Sequence, residues 1–497
     1  MQSMMFSPDN LSKSLISVMA FLLFISSILP VTQANEIQLP EIGDPSGGVI
    51  TPAEERRLGQ AFMRSIRSSM EVINDPLMSN YIESLGNRLV SGNSLASQPY
   101  SFFLISDPQV NAFAGPGGYI GVYTGLITTT QSESELASVI AHEIAHVSQK
   151  HLVRTFDAVN RMSLPAAALI LAALVVGAAA KSPDAAMAAA TGIQAGLIQQ
   201  QINFTRAHEE EADRIGIQIL ADSDFDSRAM PVFFARMGKA TQIYDSGKIP
   251  EFLRTHPVTT DRIADSFARA EEYPYRQRAD SLEYHLLRAK LRVAAIGNTR
   301  EAVTEFRKAL EDGRYRNEEG QRYGLVLALI NNRQYPEAEK ELKILLESYP
   351  EQIAFQVAQA QLAQQTGQPG RAVSILTDSM KKNPGNYPLS IYLAEALLSQ
   401  GRPAEAIPLL EKQLEGRPDD IRIYQLLARA AGDSGKTSLG HEYLAEFYYN
   451  SGNLQSAQQQ LEIALKGKDL SYYQSAKMAA RLKQIRQELI EQKKREQ

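Results

Sequence analysis

The feature that most constrains this chain is a pattern that returns every 34 residues in its second half. Ala338, Leu342 and Pro350 come back as Ala372, Leu376 and Pro384, and again as Ala406, Leu410 and Pro418. Ala and Leu four apart share one face of a helix. The small residue lets a neighbouring helix approach, the larger one fills the groove, and Pro ends the segment. Two short helices per unit cannot bury their apolar faces alone, so the units have to stack into a solenoid. Ala302, Phe306 and Ala309 form an earlier copy, offset by 36 residues. After Pro418 the phase slips. Gly440 stands where the next Ala belongs, and Ala457, Leu461 and Ala464 return half a repeat later. The last two helical pairs are therefore expected to be irregular or to share a helix.

The whole chain of 497 residues is long enough for about three domains. An apolar fraction of 44% and a charged fraction of 22% are globular values. Lys and Arg number 51 against 56 Asp and Glu, so no basic excess exists to grip a phosphate backbone, and no nucleic acid partner is expected. There is no cysteine, which excludes a disulfide framework, a thiol nucleophile and a thiolate metal site. Any metal site must be built from 7 His and from carboxylates. At the N-terminus, Lys13 precedes an apolar run from Leu15 to Leu29, and Thr32-Gln33-Ala34 follows. This reads as a signal peptide over residues 1–34, with an uncleaved anchor as the alternative, and it places the mature chain in a bacterial periplasm. A boundary near 272–282 separates residues 35–275 from an all-helical part, 280–497. Before it, Ser101–Ser106 and Tyr119–Tyr123 read as strands among helical segments at 51–70, 75–90, 132–152, 205–221 and 227–243. The expected fold is an α+β domain, mainly helical with a small sheet, followed by an all-α solenoid.

The chemistry is concentrated in Ala141-His142-Glu143-Ile144-Ala145-His146-Val147. Ser132 followed by Glu135 has the spacing of a capping box, so a helix should begin there. Leu136, Val139, Ile140 and Val147 supply its apolar face. His142 and His146 then project to one side and can reach one metal ion, with Glu143 beside it as acid/base for water attacking a peptide carbonyl. A third ligand is needed. Glu209 and Asp213, again four apart, fit a carboxylate ligand and a partner that orients a ligating His. Spacing alone leaves open which Glu ligates; Glu210 and Glu211 read as solvated.

Three copies separated by two exact steps of 34 residues resemble the tetratricopeptide repeat. His-Glu-x-x-His followed by Glu-x-x-x-Asp, with Asn111-Ala112-Phe113-Ala114-Gly115-Pro116-Gly117-Gly118-Tyr119-Ile120 upstream, resembles the gluzincin metallopeptidases of the HtpX and CAAX prenyl protease type 1 family over residues 50–270. The resemblance implies His142, His146 and Glu209 as ligands of one Zn²⁺, Glu143 as catalytic acid/base, and Asp213 supporting the ligands. His256, in Thr255-His256-Pro257, and Arg262 also recur in that family. His256 is expected to occupy or guard the fourth zinc position or to stabilise an oxyanion, against the alternative of a loop His bonded to backbone. Arg262 is expected to pair with Asp213 or a loop carboxylate. Together with the signal peptide and the repeats, the resemblance implies a periplasmic member of the family. Such a member degrades unfolded or stalled outer-membrane proteins at the outer-membrane β-barrel assembly machinery. The alternative is a chaperone or adaptor that works through its repeats.

Three further readings complete the expectations. Tyr119–Tyr123 is expected to be an edge strand to which an extended substrate adds. Residues 162–198, apolar and rich in Ala, read as a helical hairpin over 160–200, a candidate lid with possible peripheral membrane contact rather than a membrane span. His151, nine residues from His142, should face away and lie at the surface. His208 reads as peripheral to the site, and His285 and His441 as packing or surface residues of the repeats.

Overall fold

A computed structural model describes residues 51–92, 98–152, 206–243 and 250–496. The expected leader at 1–34 and the apolar hairpin at 160–200 lie outside the described residues. Among the described residues no helix is long and apolar enough to cross a membrane.

The first part of the chain builds helices α1 (Pro52–Ser69) and α2 (Pro76–Ser91), then strands β1 (Ser101–Ile105), β2 (Ala112–Ala114) and β3 (Tyr119–Tyr123). Helices α3 (Thr124–Thr129), α4 (Glu133–Ser148), α5 (Arg206–Asp222), α6 (Ala229–Ile243), α7 (Glu251–Thr255) and α8 (Thr260–Glu271) follow. Helix α1 opens with a full capping box between Thr51 and Glu54, and Asp75 caps α2. Pro52 and Pro76 stand where a helix needs no N–H donor.

The sheet order is β1-β3-β2, with β1 parallel and β2 antiparallel to β3. Tyr119–Tyr123 is therefore the central strand, not an edge, and the edges are β1 and β2. The reason lies in the tight β2–β3 turn, where Gly117 and Gly118 have φ of 70° and 79°. A side chain at Gly118 would place its Cβ 2.0 Å from the Pro99 carbonyl oxygen. That close approach lets β1 lie alongside β3.

Helix α4 runs through the core, and every residue from Glu133 to His146 is buried. Ser132 caps it as expected, accepting from the Glu135 amide. The reciprocal half of the box is absent, because the Glu135 carboxylate accepts from the Gln131 amide and pairs with Arg236 instead. The helix is also shorter than expected. It ends at Ser148, the chain turns at Lys150 with φ of 52°, and it is helical again at His151. Gly216 sets how closely α5 lies on α4: a Cβ there would stand 3.2 Å from the His142 amide nitrogen.

From residue 282 onward the chain is a stack of antiparallel helices, a tetratricopeptide solenoid. Its second helices include Thr299–Glu311, Tyr335–Ser348, Pro369–Lys382 and Pro403–Gly416. Ala338, Ala372 and Ala406 are fully buried in them, as are Leu342, Leu376 and Leu410 to within 2%. The offset of 36 has a simple origin, since the connection at 312–317 is two residues longer than those at 349–352 and 383–386. The slip at Gly440 is not there. Gly440 sits in Thr437–Asn450 in the same frame, and a Cβ on it would lie 3.2 Å from the Ala428 carbonyl. Glycine here is the small residue taken to its limit. Only the last pair departs, with a short Leu454–Ala464 packed on a long Tyr472–Glu496.

The first solenoid helix, α9 (Leu282–Ile296), serves two cores. Tyr284, Leu287 and Leu291 join the core around α4, while Leu286, Ala289 and Val293 join the repeat core. Its entry is pinned by the buried Glu133 carboxylate, which accepts from Tyr81, from Ser281 Oγ and from the Ser281 amide. Further along, Asp75 bonds Lys290 and Tyr392, Tyr119 donates to Asp419, Arg67 donates to the Asn450 carbonyl, and Arg64 pairs with Glu488. The solenoid thus curves round α1 and α2.

Candidate metal centre

Helix α4 supplies two imidazoles, α5 a carboxylate, and the end of α7 a third imidazole. His142 Nε2 and His146 Nε2 are 3.0 Å apart. His256 Nδ1 lies 3.3 Å from His142 Nε2 and 3.0 Å from Glu209 Oε1. One ligand atom from each of His142, His146, Glu209 and His256 falls within 4.8 Å of all the others, and all four residues are buried. Glu143 stands beside them, with Oε1 3.5 Å from His256 Nε2.

The support behind the cluster is a chain of charge-assisted contacts. Asp213 Oδ1 lies 3.0 Å from His142 Nδ1. Arg262 donates to both Asp213 oxygens at 2.8 Å, the fork geometry of a guanidinium on a carboxylate. Its third nitrogen reaches Glu209 Oε2 at 2.9 Å and the Pro257 carbonyl at 2.7 Å. Of the two partners expected for Arg262, the structure brings it to Asp213 and not to a loop carboxylate; its other contacts are the helical Glu209 and a backbone carbonyl in the loop of His256. Phe252 packs its ring on His256, with centroids 5.0 Å apart.

These residues fit a metal cofactor. Imidazole nitrogen and carboxylate oxygen are donors that zinc accepts. Two Nε2 atoms 3.0 Å apart, each held with Nδ1 outward, need a shared proton or a metal cation between them. Electrostatics agrees. Burial opposes a charge on His142, yet Asp213 and Glu209 outweigh it and push this imidazole up to about 10. His146 is driven well below its usual value by burial and by His142. Glu209 stays well below the usual carboxylate range, because His256 and His142 overcome its burial. Burial pushes Glu143 up. Neither Glu143 oxygen has a hydrogen bond of full geometry, and the nearby Ala114 backbone only partly offsets the burial of a carboxylate that faces the cluster.

Beside the cluster, β2 turns one edge toward α4. Asn111 and Gly115 bond β3 through their backbones, so alternation turns the main-chain groups of Ala112 and Ala114 outward. An opening of about 20 Å³, lined by Ala114, Gly115, Pro116, His146, Val147 and Lys150, reaches this edge. A cleft of about 490 Å³ lies elsewhere, between α1–α2 and the repeats, and none of the cluster residues lines it. The chemistry is at the narrow opening, where the donor atoms converge.

The comparisons with known proteins agree with this geometry. The model of peptidase family M48 matches residues 76–269, and a tetratricopeptide-repeat model matches 363–430. A Vibrio cholerae relative is 37% identical over 409 residues, 82% of this chain and 84% of that relative. The β-barrel assembly-enhancing protease of Escherichia coli K12 is 32% identical over 480 residues, 96% of this chain and 97% of its own length. The chain belongs to peptidase family M48. It is a metalloendopeptidase, and its similarity extends to the metalloendopeptidase OMA1 of Danio rerio mitochondria, 29% identical over 251 residues, 49% of this chain and 51% of that relative.

All seven residues singled out in the sequence of this peptidase meet in one place. Two others were missed. His151 is buried rather than at the surface, with Nδ1 2.9 Å from His146 Nδ1 and Nε2 3.0 Å from Glu211 Oε2. Counting along an ideal helix sends it to the far face; the left-handed turn at Lys150 brings it back. Glu211 is accordingly a hydrogen-bond partner of His151 and not merely solvated. His208 stacks on His151, with centroids 4.3 Å apart. A third His so near the pair, in a chain with 7, was the available signal. His285 and His441 lie in the solenoid, near Asp280 and Gln460.

Proposed function

We propose that this chain is a zinc-dependent endopeptidase of the bacterial periplasm that degrades misfolded or stalled outer-membrane proteins and assists their assembly. The convergence of His142, His146, Glu209 and His256 beside Glu143 carries the reading. His142, His146 and Glu209 would hold one zinc ion, with Asp213 and Arg262 orienting His142 and Glu209. Zinc held there would supply Lewis acidity toward a peptide carbonyl and toward water. Glu143 accepts the proton of the attacking water. Its burial raises its affinity for that proton, which brings it closer to the operating pH of a general base. An extended substrate adds along the outer edge of β2 through the main chain of Ala112 and Ala114. His256 fills the remaining side of the centre and guards it.

After removal of residues 1–34, residues 35–275 carry hydrolysis. Residues 280–497 dock the enzyme to the β-barrel assembly machinery. The names of the bacterial relatives support this placement. A second reading, a chaperone or adaptor with restrained proteolysis, is favoured by one observation: His256 lies against Glu209 and Glu143, and among the described residues the opening beside the cluster measures about 20 Å³. Glu143→Gln separates the two. It should keep zinc and lower cleavage of an unfolded outer-membrane protein by about 10²–10⁴-fold. Unimpaired cleavage would remove Glu143 from the reaction, and assembly functions that survive the change belong to binding.

A further inference from the structure

We propose that Glu211 and His151 form a relay that positions His146, the counterpart of the Arg262–Asp213 pair behind His142. The inference rests on the reading of His146 as a metal ligand. The Glu211 carboxylate only accepts, so at 3.0 Å His151 Nε2 is the donor. Neutral His151 then presents Nδ1 as a lone pair. His146 Nδ1, 2.9 Å away, donates to it, which leaves His146 Nε2 unprotonated, its lone pair available. That nitrogen is the one facing His142 Nε2 at 3.0 Å and Glu209 Oε1 at 3.5 Å.

The relay therefore fixes both the ring orientation of His146 and its tautomer, as a bonded second nitrogen does for a ligating His. The placement is specific. The positive φ at Lys150 reverses the chain so that His151 returns onto the ring of His146. Packing alone would be served by an apolar side chain, whereas here a fully buried imidazole is joined to a carboxylate that is 30% exposed. The stacked ring of His208 limits the rotation of His151. Both nearby ligating imidazoles are thus backed by a carboxylate, directly for His142 and through one further imidazole for His146.

The test uses the mature protein and Zn²⁺ alone, with affinity read by competition against a chromophoric chelator. His151→Leu should weaken zinc binding by roughly 10- to 100-fold. His151→Asn, whose amide oxygen can accept where Nδ1 did, should recover most of that loss, and Glu211→Gln should fall between. In ¹⁵N-histidine spectra, tractable with 7 His, the zinc-loaded wild type should show His146 as the Nδ1–H tautomer. Wild-type affinity in both His151→Leu and Glu211→Gln, alongside loss in His146→Ala, would overturn the relay. So would a loss in His151→Leu that Asn does not recover, which would make His151 a packing residue. If His146→Ala itself bound zinc normally, the ligand assignment would fall, and the relay with it. Should His151→Leu fail to fold by circular dichroism, the Asn and Gln arms decide.

Discussion

Arg262 offers the sharpest test of how the centre is held together. Its guanidinium touches two carboxylates, Asp213 and Glu209, through three contacts of 2.8–2.9 Å. Arg262 is 4% exposed and each carboxylate 1%. Arg262→Gln removes the guanidinium and leaves both buried anions to the imidazoles of His142 and His256 alone. Breaking a buried pair in this way costs about 3–5 kcal/mol. For a cooperative unit of 150–250 residues that is roughly 2–4 °C per kcal/mol, or about 6–20 °C in Tm. The metal-free protein should show the full loss. Zinc-loaded protein should show less, because the metal compensates Glu209. Arg262→Lys keeps the charge but not the fork and should fall between. The assay is calorimetry of stripped and reloaded protein at neutral pH. A drop of under about 2 °C in the metal-free Arg262→Gln protein would refute the buried-pair argument.

Three further outcomes follow from the same structure. His142 in the metal-free site is pushed up to about 10 from an ordinary 6.5, because its carboxylate partners outweigh its burial. A raised folded value gives stability that is complete below 6.5 and lost as pH rises through 10. The Tm of stripped protein should therefore decline across that window, and zinc, replacing the proton, should flatten the decline; a flat profile without metal would contradict it. Gly216→Ala places a Cβ against the backbone of His142, so it should cost about 1–3 kcal/mol and weaken zinc measurably, as α5 moves off α4. Unchanged zinc affinity would show that the helix spacing does not control the centre. Leu410→Ala, at a fully buried repeat position, should cost about 2–5 kcal/mol in urea unfolding while leaving the zinc affinity intact.

Much of this was legible in the sequence because helical spacing is local. His142 and His146, Glu209 and Asp213, and the Ala-Leu pairs of the repeats all lie four residues apart, and a helix turns such pairs to one side whatever the rest of the chain does. What escaped was decided by backbone reversals and by distant partners. Lys150 takes a left-handed turn that no composition rule marks, and it alone moves His151 from the outer face into the cluster. Tyr119–Tyr123 has a strand pattern, yet its place between two partners depends on how β1 returns beside it. At Gly440 a search for Ala missed the logic of the position, which is closeness of approach and not the identity of a residue. Glu211 looked solvated because its partner had been sent elsewhere.

The bond between Arg64 and Glu488 spans 424 positions. Together with the bonds of Asp75 to Lys290 and Tyr392, it means that helices made early have their partners spread over almost the whole remaining chain. Contacts so far apart bring loop-closure entropy forward and slow folding. The helices α1 and α2 that brace the catalytic core cannot complete their surroundings until the last helix has arrived. Chain order and assembly order thus run in opposite directions here: the two helices that come early in the chain are among the last to gain all their neighbours.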